Sequence, residues 1–176
     1  MGVIAGLTCN PHNIIINLKE MRNKSILFLL IISLFTNFQV FSQSGADQLT
    51  GTYHVIKEDT KSESRIQIYK TSEGKYEGKI IWLKSPNHPD GTPKYDIKNP
   101  NPELRKVRAD KVVLLKNFTY DEKNKEWTGG EIYDPEEGKT YKCKLKFESP
   151  TKLKVRGYVG IPALGKTMYW TKIVES

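Results

Sequence analysis

The sequence predicts an all-β protein, an antiparallel up-and-down barrel of about eight strands with one long loop that carries a short helix. One observation is the strict alternation of apolar and polar residues over 141–147 (Y-K-C-K-L-K-F), which is typical of a strand with one buried face and one solvated face. Another is the recurrence of short apolar segments of this kind, separated by turn signals, along most of the chain. The chain shows no internal repeat and no sign of a second domain.

The clearest turn joins this strand to the one before it. Residues 134–138 (D-P-E-E-G) place a proline near the start, where it presets φ, and a glycine at the exit, where a positive φ is expected. The preceding segment 127–133 (W-T-G-G-E-I-Y) therefore forms the first strand of a hairpin, and a hairpin predicts antiparallel pairing.

The N-terminal part of the chain predicts an export signal and not part of the fold. Arg22 and Lys24 precede an apolar run over 26–38, and small polar residues follow. The run is too short for a comfortable membrane span of about 20 residues. We therefore expect an upstream extension that is not part of the natural product at 1–20, a signal peptide at 21–42 and one mature domain at 43–176. The mature protein is expected in the periplasm or secreted, with no stable membrane span.

The cysteines predict a fold that depends on its core and not on a disulfide. Of two cysteines, only Cys143 lies in the expected mature domain, on the apolar side of its strand. Without a partner it cannot form an intrachain disulfide, so we expect a small buried side chain in a monomeric protein.

Three strands are predicted before the long loop, at 51–57, 65–70 and 76–83. The third carries Tyr76, Gly78, Ile80 and Trp82 at alternating positions, which predicts that all four face the same side of the sheet. A glycine inside a strand often marks a bulge or a sharp bend, as a closing sheet requires.

The long loop is predicted at residues 85–110, which are rich in Pro, Asn and Asp. Its prolines exclude a central strand. Asn101 as N-cap and Pro102 at the first helical position predict one or two helical turns. A loop of this length in a compact domain is often functional.

After the loop, the segment 111–115 (K-V-V-L-L) is apolar on both faces, so we expect the long loop to cover its outer side. The strands that follow the 127–147 hairpin are predicted at 152–158 and 165–173. The formal charge of +8 does not point to nucleic acid, because the lysines alternate along the strands with acids between them. A solvated outer face explains them, and a membrane surface or polyanion is the alternative.

Five segments share a pattern with known proteins. They are D-I-K-N-P at 96–100, L-R-K-V-R at 104–108, W-T-G-G-E-I-Y-D-P-E-E-G-K-T-Y at 127–141, L-K-V-R-G-Y-V-G at 153–160 and G-K-T-M-Y-W-T at 165–171. Together they resemble domain of unknown function family 2147, small exported bacterial proteins similar in fold to lipocalins and other calycins. The resemblance implies a barrel with an internal cavity and a small-ligand carrier. Tyr53 departs from the pattern, because lipocalins carry at this position a tryptophan that seals the barrel floor.

Catalytic and metal-binding patterns are not found. His54 and His88 have no metal-ligand spacing, and no nucleophile elbow, phosphate-binding loop or dinucleotide fingerprint occurs. Glu131 and Asp134 are near neighbours, but turns commonly collect acids. The sequence therefore predicts a protein that is not an enzyme and that needs no cofactor or metal.

The candidate ligand-binding residues are aromatic side chains on strands and two arginines. They are Tyr53, Trp82, Arg108, Trp127, Tyr133, Arg156, Tyr158 and Trp170. The aromatic side chains either pack the core or line a cavity. An arginine at the barrel mouth could hold a carboxylate or phosphate, or it could form an ion pair with Asp96, Glu131 or Asp134. The glycines at 78, 129, 130 and 157 are expected to leave space beside the large rings.

Two functions therefore stay open. One is an exported binding protein that holds a small hydrophobic or amphipathic ligand in the barrel, with its acid at an arginine. The other is an envelope protein-interaction or structural module with a filled barrel, in which Trp82 and Trp170 would occupy the interior.

Overall fold

The computed structural model describes residues 45–174, in which eight antiparallel strands close into a barrel. The strands are β1 Gly51–Lys57, β2 Ser62–Lys70, β3 Tyr76–Leu83, β4 Val113–Asp121, β5 Glu126–Asp134, β6 Lys139–Phe147, β7 Lys152–Tyr158 and β8 Lys166–Lys172. Each strand pairs with the next, and β1 closes the barrel on β8 through Tyr53 opposite Lys172 and His54 opposite Thr171. The predicted antiparallel barrel is confirmed.

The predicted signal peptide and the upstream extension lie outside the described residues. Among the residues that are described, no helix is both long and apolar enough to cross a bilayer.

The two ends of the barrel differ in how they are covered. At one end, here called the closed end, tight loops join β2 to β3, β4 to β5 and β6 to β7, and the 3-10 helix Asp47–Leu49 packs there. At the other end, here called the mouth, lie the turns at 58–61 and 135–138, the β7–β8 loop at 159–165 and the long loop at 84–112.

Aromatic rings fill the barrel interior near the closed end. The largest fully buried side chains are Trp127, Trp170, Tyr53, Tyr76 and Phe118. Trp127 stands at the centre of this group, with its ring 4.9 Å from that of Tyr120, 5.8 Å from Phe147 and 6.5 Å from Tyr76, measured between centroids. Tilted and edge-on pairs of this kind add to the burial energy of each ring.

The long loop packs against the outside of the barrel, as expected from the apolar run before β4. Val112 and Leu114 are buried, and Leu104 and Val107 of the loop lie with Leu114 along the same groove. The predicted helical turns are a 3-10 helix, Pro102–Lys106, whose N-cap Asn101 accepts a hydrogen bond from the backbone of Glu103.

The prediction that Trp82 shares the inner face with Ile80 is wrong. In the β2–β3 ladder Trp82 lies opposite Arg65 and Ile80 lies opposite Ile66, so Ile81 is an extra residue in a β-bulge. A bulge changes the side to which the following residue points. Trp82 is 39% exposed on the outer face, where the guanidinium of Arg65 lies 5.3 Å from its ring.

Cys143 lies where the alternation predicts, on the inner face of β6, and it is 1% exposed. It is a free cysteine. Burial raises the pKa of its thiol to about 12, because a thiolate would be poorly solvated there.

Candidate ligand-binding site

Access to the barrel interior increases from the closed end to the mouth. On the inner faces of β2, β6 and β8, Ile66, Cys143 and Trp170 are buried, whereas residues nearer the mouth on these strands and on β3 and β7 are only half-buried. Val55 of β1 and Ile132 of β5 are buried near the mouth as well. The half-buried inward residues are Ser64, Leu83, Tyr141, Gly157 and Met168. Their inward placement follows from the register, which sets them opposite one another or opposite buried residues of neighbouring strands. We call this region the mouth half of the interior.

A lysine reaches across the mouth. Lys57 ends β1 on the same face as Tyr53 and Val55, and Asp134 ends β5, which is opposite β1 in the closed strand order. Lys57 Nζ lies 2.9 Å from Glu136 Oε2 and 3.5 Å from Asp134 Oδ2. We call Lys57 together with its two carboxylate partners the mouth ion pair.

Partial burial alone would lower the pKa of Lys57, but the carboxylates of Glu136 and Asp134 outweigh that effect and raise it. The ammonium group is therefore protonated at neutral pH. Lys57 therefore places a positive charge at the barrel opening, on the inner face of β1.

The 3-10 helix Asp47–Leu49 closes the other end. Leu49 is completely buried, and its carbonyl accepts a hydrogen bond of 2.7 Å from the hydroxyl of Tyr53. The indole Nε1 of Trp127 donates to the carbonyl of Ala46 at 3.1 Å. Burial raises the pKa of Tyr53 well above its usual range, so the hydroxyl is retained as a donor. Tyr53 and Trp127 are thus part of the barrel floor.

The expectation that glycines leave space inside the barrel is wrong for two of them. A Cβ built on Gly130 would lie 2.5 Å from the ring of Phe118, and one on Gly78 would lie 3.1 Å from Leu115. Neighbouring side chains therefore already fill these positions. At Gly157, near the mouth, the nearest side-chain atom would be Ile132 Cγ2 at 3.4 Å, which is an ordinary contact.

Trp170 is one of the buried rings near the closed end of the barrel. It is 1% exposed, and its ring is 6.4 Å from that of Tyr53. Among the buried side-chain nitrogens and oxygens of residues 45–174, its Nε1 is the one without a hydrogen-bond acceptor. Buried donors are nearly always bonded, so this N–H marks a place where an acceptor would be stabilising.

Neither predicted arginine reaches into the barrel. Arg156 lies on the outer face of β7 and donates to the carbonyls of Pro162 and Ala163 at 2.6 and 2.9 Å and to Thr167 Oγ1 at 2.6 Å. Arg108 is exposed and pairs with Asp110, with Nε 3.1 Å from Oδ1. Neither arginine is therefore placed to hold the acid group of a ligand inside the barrel.

Tyr133 and Tyr158 also lie outside the barrel. The Tyr133 hydroxyl donates to Asp96 Oδ1 at 2.7 Å, and Asn99 Nδ2 donates to Asp96 Oδ2 at 2.7 Å. Burial and then the bond to Asp96 raise the pKa of Tyr133 well above its usual range. Tyr158 is half-buried opposite Lys142 on the outer face.

A cleft of about 400 Å3 lies between the long loop and the outer faces of β4 to β6. Leu104, Leu114, Lys116, Glu131 and Tyr133 are among the residues that line it. The cleft lies outside the barrel, so it is separate from the mouth half of the interior.

Of the predicted site residues, the structure therefore brings together Tyr53, Trp127 and Trp170 inside the barrel. Sequence reasoning missed Lys57, and it did not include Tyr141 and Met168 among the candidate ligand-binding residues, although it predicted that both face the interior. For Lys57 a signal was present, because it has the same parity along β1 as Tyr53 and Val55, and a charge on an apolar face calls for an explanation.

No group of three or more His, Cys, Asp or Glu side chains that could hold a metal ion occurs in the described part of the chain. His54 lies on the outer face with Nε2 3.5 Å from Glu63 Oε2.

Comparison with known proteins gives two matches. Residues 51–172 match the family described as "Uncharacterized protein conserved in bacteria (DUF2147)". A solved structure described as "Protein HP1028 from the human pathogen Helicobacter pylori belongs to the lipocalin family" is similar in fold, with a TM-score of 0.60 and 29% identity over 72% of this chain and 84% of that chain. No curated protein sequence matches the chain significantly.

Proposed function

The chain belongs to the DUF2147 family of bacterial proteins and has a lipocalin-like barrel, and we propose that it is a non-enzymatic binding protein for one small hydrophobic or amphipathic molecule. An eight-stranded barrel has an interior that side chains can just fill or that can hold one small ligand. The Helicobacter pylori protein, described as a member of the lipocalin family, supports the second possibility by analogy.

The observation that carries the proposal is the change in packing along the barrel axis. Near the closed end the rings are buried and the glycine positions are filled, whereas Leu83, Tyr141 and Met168 near the mouth are only half-buried on inward faces. An apolar ligand would be held by burial of its apolar part against these less completely packed inner faces.

The side chains of the mouth half indicate an amphipathic ligand with an acidic end. Met168 and Leu83 supply apolar surface, and Lys57 supplies a protonated ammonium group at the opening. A carboxylate at Lys57 would replace Glu136 as the partner of the ammonium, while the tail lies along the aliphatic residues. A polar group at the depth of Trp170 would satisfy its free N–H.

The test is titration with lauric acid and with dodecanol, which share a tail and differ in the headgroup. Binding is monitored by tryptophan emission, and native mass spectrometry of protein purified without detergent shows whether a ligand copurifies. We expect saturable binding of both probes, and Lys57→Met should weaken laurate binding about tenfold while leaving dodecanol binding unchanged. Lys146→Met, on the outer face of β6, is the matched control and should leave both unchanged.

A second candidate is an interaction module with a filled barrel, which the packed closed half favours. The absence of any copurifying mass together with no saturable change in emission would contradict the carrier and leave this module as the better account.

We also propose that the protein is exported, on the basis of the signal pattern in residues 21–42 of the sequence. N-terminal sequencing of the native protein should find a start near Gln43. Retention of residues 1–20 in the native protein would contradict both the export and the expected start of translation.

A further inference from the structure

The β7–β8 loop, residues 159–165, displays aliphatic side chains to solvent at the mouth of the barrel. Val159 is 72% exposed, Ile161 is 59% exposed and Leu164 is 81% exposed. Single exposed aliphatic residues are normal on protein surfaces, but three within one loop form a group that needs a reason.

Hydrogen bonds to its own backbone hold the loop in the conformation that exposes these side chains. The guanidinium of Arg156 binds the carbonyls of Pro162 and Ala163 from below. A 3-10 turn, Pro162–Leu164, adds the hydrogen bond from Gly165 N to Pro162 O at 3.1 Å. A side chain at Gly165 would meet the carbonyl of Gly157 at 2.5 Å, which shows how closely the loop lies on β7. The exposure of the aliphatic residues is therefore built into the fold.

Cationic side chains lie beside the loop. Lys142 stands opposite Tyr158 and Lys166 stands opposite Gly157 in the two ladders that flank the end of β7. Lys166 is 80% exposed and is only loosely paired with Asp59, at 3.5 Å. Farther along β6, Lys144 pairs with Glu126 at 2.7 Å, and Lys142 stands opposite Glu131 in the β5–β6 ladder. The cations beside the loop that a partner could contact are therefore Lys142 and Lys166.

We propose that the β7–β8 loop docks the protein on an anionic phospholipid surface. Val159, Ile161 and Leu164 would enter the boundary between headgroups and acyl chains, and Lys142 and Lys166 would lie against lipid phosphates. Apolar burial combined with attraction of lysines to anionic headgroups is the general basis of such binding.

The chemistry of the loop favours a lipid surface over a protein partner. Protein interfaces concentrate their binding energy in Trp, Tyr and Arg side chains that enter pockets. The β7–β8 loop carries only aliphatic side chains at its exposed positions, and its one arginine is already committed to the loop's own carbonyls. Docking at the mouth would bring the barrel opening to the membrane, but the inference does not depend on the barrel holding a ligand.

The test is cosedimentation with large unilamellar vesicles of phosphatidylglycerol and phosphatidylethanolamine, with phosphatidylcholine vesicles for comparison. Residues Gln43–Ser176 form a compact unit that contains the whole closed barrel, so the chain from Gln43 is used. We expect it to sediment with the anionic vesicles and much less with phosphatidylcholine. Ile161→Ser combined with Leu164→Ser should lower the partition coefficient more than tenfold. Lys142→Gln should lower it severalfold on anionic vesicles only.

Val174→Ser is the matched control, because Val174 is 70% exposed but follows the end of β8 at the closed end of the barrel. It should leave the partition unchanged, and circular dichroism should show all variants folded. Failure of the parent chain to bind anionic vesicles, or equal binding by the loop variant, would overturn the proposal. So would a dimer in analytical ultracentrifugation that the loop variant dissociates, since a second copy would then cover the loop. Laurate titration is a separate readout, so failure here would leave the carrier proposal standing.

Discussion

A single hydrogen bond distinguishes two tryptophans that are otherwise alike. Trp127 and Trp170 are each 1% exposed, but only Trp127 has an acceptor for its N–H, the carbonyl of Ala46. Replacement of either by Phe removes similar ring volume. We expect Trp127→Phe to lower the free energy of unfolding by about 1 kcal/mol more than Trp170→Phe, because only the former loses a hydrogen bond. The Ala46 carbonyl then keeps only the longer bond, 3.4 Å, from the backbone N–H of Leu49.

Urea unfolding followed by circular dichroism measures both variants without relying on indole emission. Equal losses of unfolding free energy would mean that the N–H of Trp170 also donates a hydrogen bond in solution, as the N–H of Trp127 does. The pair therefore also tests whether the interior at Trp170 is reached by a ligand or a solvent molecule.

Cys143 is expected to be chemically silent in the folded protein. Burial raises the pKa of its thiol to about 12, so little thiolate exists at about pH 8, and the side chain is 1% exposed. Ellman's reagent should react with it only at the rate of unfolding. Lys146→Cys in a Cys143→Ser background places a thiol on the outer face of the same strand and should react at once. Rapid labelling of Cys143 itself would contradict the packed inner face of β6.

At the scale of strands, the alternation of apolar and polar residues predicts the bounds of the strands well and the direction of their side chains less well. The bounds of β1, β3 and β7 agree with prediction, because each strand ends where turn residues begin. The prediction for Trp82 is wrong because the direction of this side chain depends on the bulge at Ile81, which is visible only when β2 and β3 are paired. A bulge inserts one residue without any distinctive composition, so a single strand's pattern cannot reveal it.

The long loop is an element whose attachment can be tested through one hydroxyl. Tyr133 donates to Asp96, a carboxylate that is 3% exposed, whereas Tyr141 donates to Glu137 in a solvated turn. We expect Tyr133→Phe to cost about 1–3 kcal/mol, because it leaves a buried acceptor short of a donor, and Tyr141→Phe to cost less than about 0.5 kcal/mol.

Hydrogen exchange should show increased opening of residues 95–108 in Tyr133→Phe and not in Tyr141→Phe. Equal protection of the loop in both variants would mean that its apolar contacts, and not the buried bond to Asp96, hold it on the barrel. Sequence reasoning places the loop over β4 from the apolar run at 111–115. It names Asp96 only as a possible partner of an arginine, whereas the structure buries it beside Tyr133 and Asn99, which both donate to it.

At the scale of the whole molecule, the candidate site could be predicted only in part. The alternation along each strand indicates which residues face inward, so the interior positions of Tyr53, Trp127 and Trp170 could be predicted. The meeting of Lys57 with Asp134 depends on barrel closure, which brings β1 and β5 to opposite sides of one opening. Parity gives the face of each strand but not the distance across the barrel, and so this contact had no sequence signature.

The mouth ion pair makes a prediction about pH that belongs to the closed barrel. In the folded protein the carboxylates of Glu136 and Asp134 raise the pKa of Lys57 in spite of its partial burial. A lysine with a raised folded pKa contributes stability fully below the unfolded pKa of about 10.4, and the contribution is lost as the pH rises through the folded value. Because these side chains are partly exposed, we expect Lys57→Met to cost no more than about 1 kcal/mol at neutral pH.

The measurement is the difference in unfolding free energy between the wild type and Lys57→Met at about pH 8 and at about pH 11.5. Other lysines and tyrosines titrate over the same range, but they titrate in both proteins and largely cancel in the difference. The cost of the substitution should therefore be present at the lower pH and should shrink at the higher one, where the ammonium is lost. Glu136→Gln should lower the stability in the same pH range, since it removes the nearer carboxylate. A cost of Lys57→Met that is identical at both pH values would mean that Lys57 stabilises the mouth through its aliphatic stem alone, and that no charge spans the opening.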